Sequence, residues 1–264
     1  MFTLDVYLTG LAVILAAAVV TWLVSLGKAD VSIVDSVWAI FFVLAACTYT
    51  LTVPALGPRT LLVLVLLTLW AVRLSGYITW RNWGEAEDAR YQAIRRGNEP
   101  NFKWKSVYLV FGLQGVLAWI ISAPLLSAIV SSRPLFWLDF AGLALCTAGL
   151  LCEAIADLQL ARFKARRENR GRVMDRGLWH YSRHPNYFGE CCVWWGFYFL
   201  AVAAGDPWTV FSLALMTFLL LKVSGVALLE KDIAERRPQY HDYVKSTSAF
   251  VPWWPRKKAK EALR

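Results

Sequence analysis

The chain has 264 residues, of which 58% are hydrophobic and only 18% charged, and its mean hydropathy is +0.44. Soluble domains run nearer 45–50% apolar and about 25% charged, so this composition excludes a disordered chain, a collagen and an ordinary water-soluble enzyme. The net charge of +9 comes with no zinc-finger spacing and no RNA-recognition motif, so nucleic acid is not an expected partner.

Seven stretches approach the 20 or so apolar residues that cross a hydrocarbon core of roughly 30 Å: residues 7–26, 33–51, 60–79, 107–130, 136–156, 190–204 and 208–229. Pro/Gly turns at 53–58 and 205–207 separate some of them. The opening Met-Phe-Thr-Leu-Asp lacks a basic flank, so the first stretch reads as a retained helix rather than a cleaved signal. The prediction is an all-α polytopic membrane bundle of about seven transmembrane helices. Of the 28 Lys and Arg, all but Arg59, Arg73, Arg133 and Lys222 fall in the tail or in the loops after the first, third and fifth stretches. That asymmetry orients the N-terminus outside and the C-terminus in the cytoplasm, with Arg59 and Arg133 in outer loops. The expected location is a bacterial inner membrane, crossed several times, with membrane lipids as partners.

Five cysteines (Cys47, Cys146, Cys152, Cys191 and Cys192) lie in or beside apolar stretches without a CxxC spacing and read as small core residues. Three scattered histidines give no metal-ligand pattern, and no metal is expected. The pairs Trp194-Trp195 and Trp253-Trp254 read as interfacial belts.

Ionisable residues inside spanning segments are costly and usually face a partner or a polar cavity. In the third stretch Arg73, Tyr77 and Arg81 recur every four residues below Trp70, forming one polar-aromatic stripe. In the fifth stretch and its extension, Glu153, Asp157 and Lys164 share one helix face at about 100° per residue. The seventh carries Lys222, with Glu230 just beyond it. All three sets lie toward the same, cytoplasmic end.

The loop after the fifth stretch is rich in arginine, including Arg166, Arg167, Arg170, Arg172 and Arg176. It leads into Ser182-Arg183-His184-Pro185-Asn186-Tyr187-Phe188-Gly189-Glu190, which gathers guanidinium, imidazole, amide, aromatic and carboxylate groups at a helix mouth. Arginines grip phosphates bidentately and aromatic rings stack on flat ligands, so this is the composition of a nucleotide site. No GxGxxG or Walker pattern occurs, so the bundle itself has to hold any nucleotide. Glu85, Glu87 and Asp88, between Arg81 and Arg90, suit either an exposed acidic loop or a lid.

That motif, together with Leu229-Glu230-Lys231, residues 240–252 and the stretch Asn82-Trp83-Gly84-Glu85-Ala86-Glu87-Asp88-Ala89-Arg90-Tyr91, resembles the steroid 5α-reductase-like membrane proteins, particularly their bacterial branch. The resemblance implies a seven-helix bundle that binds NADPH at its cytoplasmic end and reduces the C=C of a lipid enone such as a 3-oxo-Δ4 steroid. Residues 1–264 then form one transmembrane domain, with a substrate-side half (1–131), a reductase-like region (132–255) and a basic tail (256–264). By position, the implied cofactor residues are Glu153, Asp157, Lys164, Arg172, Asn186, Glu190 and Lys222, and the surrounding motif adds Arg183, His184, Tyr187 and Glu230.

Steroid reductases use a Glu in the second helix and a Tyr in the third to polarise the substrate ketone. Here the second helix offers Asp35 with Trp38, and Trp70 stands at the expected Tyr position. Tyr77 lies two turns further on. Asp35 and Tyr77 are therefore the candidate catalytic pair, with Trp38, Trp70 and Arg73 against the substrate. Hydride addition builds charge on the enone oxygen, and a preorganised donor stabilises it.

Two other readings compete. Membrane methyltransferases of the isoprenylcysteine and phospholipid types carry a similar Arg-His-Pro-x-Tyr-x-Gly run and bind S-adenosylmethionine. They usually show a Glu-Glu pair where this chain has Glu230-Lys231, and Asn186 and the basic loop favour the reductase. A non-enzymatic lipid-binding protein or transporter is the remaining class, but no internal repeat of the transporter kind is visible.

Overall fold

The computed structural model describes residues 2–223, 225–226, 230 and 239–256. Lys231, residues 224 and 227–229 of the seventh predicted stretch, and tail residues 257–264 lie outside them. Among the described residues six helices are long and apolar enough to cross a membrane: α1 (Leu4–Lys28), α2 (Ile33–Thr52), α3 (Thr60–Asn82), α5 (Phe102–Val130), α6 (Trp137–Ala165) and α7 (Pro185–Ala204). A short α4 (Ala89–Arg96) precedes α5, and a shorter apolar α8 (Pro207–Val223) and α9 (Tyr240–Ser246) follow α7. At 1.5 Å per residue, the 25 residues of α1 make a rod of about 37 Å, sufficient for a bilayer core.

Of the seventh predicted stretch, 208–229, the described residues cover 208–223 and 225–226. α8 passes from a 3₁₀ turn through a short α-helix to a π turn over Leu219–Val223, and its described length falls short of a full span. The sixth span starts earlier than predicted. Proline at its first position needs no N–H partner there, so Pro185 to Glu190 form the opening turns of α7 rather than a loop.

Two compact units divide the chain: Met1–Phe140 with Phe197–Ser212, and Ala141–Gly196 with Leu213–Arg264. In the N-terminal unit α2 packs on both α1 and α3, and α5 lies against α1, α2 and α3. Polar side chains tie these helices through backbone groups. Tyr7 and Trp119 exchange hydrogen bonds with each other's carbonyls at 2.8 and 2.9 Å, and Tyr49 meets the Ser122 hydroxyl at 2.7 Å. Gly10 makes room for the Tyr49 ring, since a Cβ there would collide with it.

Arg59, predicted on an outer loop, is instead fully buried. Its Nε and Nη2 donate to Asp139 at 2.6 and 2.9 Å, and the remaining donors reach the carbonyls of Arg133, Pro134 and Ala203. A charge in a low-dielectric interior persists only when paired and hydrogen-bonded in this way.

In the C-terminal unit α6 and α7 approach through small residues, the usual device where lipid removes any hydrophobic drive between helices. A Cβ on Gly149 would fall 2.6 Å from the Gly189 carbonyl, and one on Gly189 would fall 2.6 Å from the Glu153 nitrogen. Trp194 is buried in this unit while Trp195 is exposed, so only one of that pair is available for a membrane interface.

Candidate functional site

The close contact of α6 and α7 brings two helix faces together in the C-terminal unit. Glu153 and Asp157, four residues apart on α6, are 2% and 5% exposed. Asn186 and Glu190 stand in the same i, i+4 relation on α7, and Glu190 is buried. Asn186 Nδ2 donates to Asp157 Oδ1 at 3.1 Å, leaving Asn186 Oδ1 buried without a hydrogen-bond partner. An amide that commits its N–H to a carboxylate presents its carbonyl oxygen as an acceptor.

The segment before α7 is fastened at several points. Trp179 Nε1 donates to the Ala156 carbonyl at 3.0 Å, and Gln159 Oε1 accepts from Leu178 N at 3.0 Å. Gln159 packs so tightly against Gly177, whose φ is +60°, that a Cβ would lie 2.6 Å from its amide. Ser182 Oγ donates to the Phe250 carbonyl at 2.7 Å, Arg183 N to Ser248 O at 2.9 Å and Trp253 N to Tyr181 O at 3.0 Å. The Tyr243 hydroxyl reaches the Trp179 carbonyl from α9.

Glu230 anchors Arg183 and His184 of the motif. Its Oε1 lies 2.9 Å from His184 Nε2 and 3.1 Å from Arg183 Nε, the latter an ion pair off the N–H axis. Burial pushes the Glu230 carboxyl up, but the His184 hydrogen bond, the Arg183 charge and the Tyr240 hydroxyl outweigh it and hold the carboxyl below its ordinary range. Burial and the nearby Glu230 charge in turn raise the Tyr240 phenol. The His184 and Tyr187 rings stack 5.8 Å apart, at 15°. Arg183 is only 8% exposed, and its Nη1 has no hydrogen-bond partner. Lys164, Arg172 and Lys222 are exposed, unlike the buried acids Glu153, Asp157 and Glu190.

In the N-terminal unit, Trp38, Phe42 and Trp70 make a run of edge-on ring contacts at 4.9 and 5.8 Å, and the Arg73 guanidinium lies 5.9 Å over the Tyr77 ring. Arg90 Nη2 and the Tyr91 hydroxyl hold Asp35 at 2.7 and 2.6 Å, so each carboxylate oxygen already accepts a hydrogen bond. Neither partner was singled out from spacing, although both end the Asn82-to-Tyr91 stretch that carries part of the resemblance. Asp88 caps α4 through Arg90 N and pairs with the Arg90 side chain at 2.9 Å. Glu87 takes Arg95 bidentately at 2.7 and 2.9 Å and accepts from Val31 N at 3.0 Å. For both acids burial raises the carboxyl and these hydrogen bonds more than reverse it, leaving them below their ordinary range. The acidic loop is thus fastened to its own unit rather than merely solvated.

Residues 21–247 match the family described as a protein of unknown function, DUF1295. The chain belongs to this family. It is associated with steroid 5α-reductase-like membrane proteins. An uncharacterised protein of Schizosaccharomyces pombe is 26% identical to this chain, over 93% of it and 79% of the yeast protein. No solved structure matches the chain.

Proposed function

We propose that this membrane protein is an NADPH-dependent reductase acting on the C=C of a lipid enone. The observation that carries the reading is that Arg183 Nη1 and Asn186 Oδ1, among the buried polar atoms of the C-terminal unit, have no hydrogen-bond partner. Buried polar groups are almost always partnered, so a donor on a fixed cation and an acceptor on a fixed amide mark a place where a ligand completes the hydrogen bonding. Arg183 offers a phosphate a guanidinium already oriented by Glu230. Asn186 offers a carboxamide N–H an acceptor already oriented by Asp157. The buried acids Glu153, Asp157 and Glu190 suit ribose hydroxyls and amide N–H groups, and exposed Lys164, Arg172 and Lys222 suit the remaining phosphates. The chemistry supplied when NADPH is bound is hydride delivery to the enone β-carbon, with a proton from water completing the reduction at the α-carbon.

Tyr77 is the proposed donor to the enone oxygen. The Arg73 cation over its ring favours negative charge developing nearby, the oxyanion logic of preorganised stabilisation. Asp35, held by Arg90 and Tyr91, acts as a positioning residue that fastens the 85–91 segment to α2. Half-buried Trp38 supplies an apolar wall that suits a flat lipid, and fully buried Trp70 packs behind it through Phe42. The association of Arg183 and His184 with Glu230 is also what the methyltransferase motif calls for, so S-adenosylmethionine is the rival ligand. Purified protein given deuteride-labelled NADPH and a panel of steroid, polyprenyl and fatty enones is expected to move deuterium to a β-carbon. Methyl transfer from S-adenosylmethionine, with no deuterium moved, contradicts the proposal.

A further inference from the structure

A crevice of about 960 Å³ opens between α2 and α3 in the N-terminal unit, beneath the loop that joins α3 to α4. At about 100° per residue, its α2 lining of Ile33, Ser36, Val37 and Ile40 falls on the side opposite Asp35, Trp38 and Phe42. Its α3 lining of Ser75, Gly76 and Thr79 falls on the side away from Trp70 and Tyr77. The crevice is therefore separate from the aromatic and acidic stripe assigned to the substrate. Ser75 lies about seven residues, or roughly 10 Å, inside the end of α3, the depth at which an amphiphile meets the boundary between headgroups and tails.

We propose that this crevice binds the hydroxyl-bearing end of an uncharged membrane amphiphile, of the monoacylglycerol kind, at a site that does not depend on the reductase reading. Ser75 is 8% exposed, and its hydroxyl has no hydrogen-bond partner. A helical serine commonly satisfies itself on the carbonyl four residues back; the Ser75 oxygen does not, and although it is enclosed in the crevice wall, rotation about χ1 is what presents it to a ligand. Ser36 and Thr79 add further hydroxyls to the lining. Gly76 leaves open space, since a Cβ built there meets nothing within 4 Å. The exposed indoles of Trp80 and Trp83 stand at the mouth, as amphipathic rings do at a membrane interface.

Charge selects against phospholipid. The mouth carries Lys28 against Asp30 and Glu85, while Glu87 is neutralised by Arg95. A lipid phosphate would face a wall with more negative than positive charge, whereas an uncharged glycerol would not.

The test uses the full-length protein in phosphatidylcholine nanodiscs doped with a diazirine-tailed monoacylglycerol, or with the matching phosphatidylglycerol probe. After irradiation, adducts are mapped by peptide mass spectrometry. The expected result is labelling by the uncharged probe concentrated on residues 33–40 and 75–83, competed by unlabelled monooleoylglycerol. Ser75→Ala weakens that labelling roughly 2- to 10-fold, the value of one neutral hydrogen bond. Gly76→Leu fills the open space and abolishes it, with an unchanged melting temperature showing that the bundle is intact. Labelling spread evenly over lipid-facing helices, equal labelling by the anionic probe, or labelling indifferent to both substitutions overturns the proposal. None of these readouts involves NADPH or enone turnover.

Discussion

The Tyr91 hydroxyl donates to Asp35 at 2.6 Å, joining the start of α4 to the start of α2 across 56 residues of sequence. With Arg90 on the other oxygen at 2.7 Å, the acid is fully engaged before any substrate is considered. Arg90→Met removes the cation and leaves a half-buried carboxylate short of a partner, a loss of about 1–3 kcal/mol. Thermal unfolding in detergent should show that loss, and Asp35→Asn combined with Arg90→Met should restore part of it. Equal stability of Arg90→Met and the parent would contradict the role given to this pair.

Acid should loosen the same loop. The carboxyls of Glu87 and Asp88 are held below their ordinary range, so their contribution is present above the unfolded-state pKa near 4 and is lost as pH falls through the lower folded value. Hydrogen-exchange protection of residues 85–96, taken relative to the intrinsic exchange rate at each pH, is therefore expected to fall on acidification toward pH 3. Glu87→Gln should show much of that fall already at neutral pH, because it removes the charge that Arg95 grips. Unchanged protection across this range would contradict the assignment.

A third prediction concerns the buried ion pair of Arg59 and Asp139, 0% and 1% exposed. Arg59→Met strands Asp139 and is expected to cost about 3–5 kcal/mol, visible as a large drop in melting temperature. Arg59→Met with Asp139→Leu replaces the pair by apolar groups and should recover most of the loss. Failure of the double variant to exceed the single one would show that the pair does more than satisfy itself.

Close packing of α6 on α7 gives a fourth. Gly149→Leu drives a side chain into the Gly189 carbonyl and should break the unit that carries Asp157 and Asn186, whereas substitution of exposed Gly76 should not. Limited proteolysis distinguishes the two: rapid cleavage around 160–190 for Gly149→Leu, parent-like digestion for Gly76→Ala.

The helices themselves were legible because apolar length is a strong signal, and five of the seven predicted stretches lie wholly within a long helix. Glu153 and Asp157 were legible for the same reason, since carboxylates inside an apolar run have to be sheltered. Sequence periodicity failed where it carries no information. The π turn that ends α8 over Leu219–Val223 has no periodic signature, and neither do the long-range partners of Asp35 and Glu230. Arg59 reads as a solvated loop charge in the sequence because nothing local marks its acidic partner, 80 residues away.

The most direct measurement of the central claim is ligand-dependent unfolding of the detergent-purified chain with NADPH, NADH or S-adenosylmethionine. A ligand at 100 times its Kd stabilises by about 2.7 kcal/mol, a readily detected shift. The account predicts stabilisation by NADPH above NADH, reduced by Asn186→Ala and by Arg172→Ala at an exposed position. A shift with S-adenosylmethionine alone, or none with any nicotinamide cofactor, would contradict it.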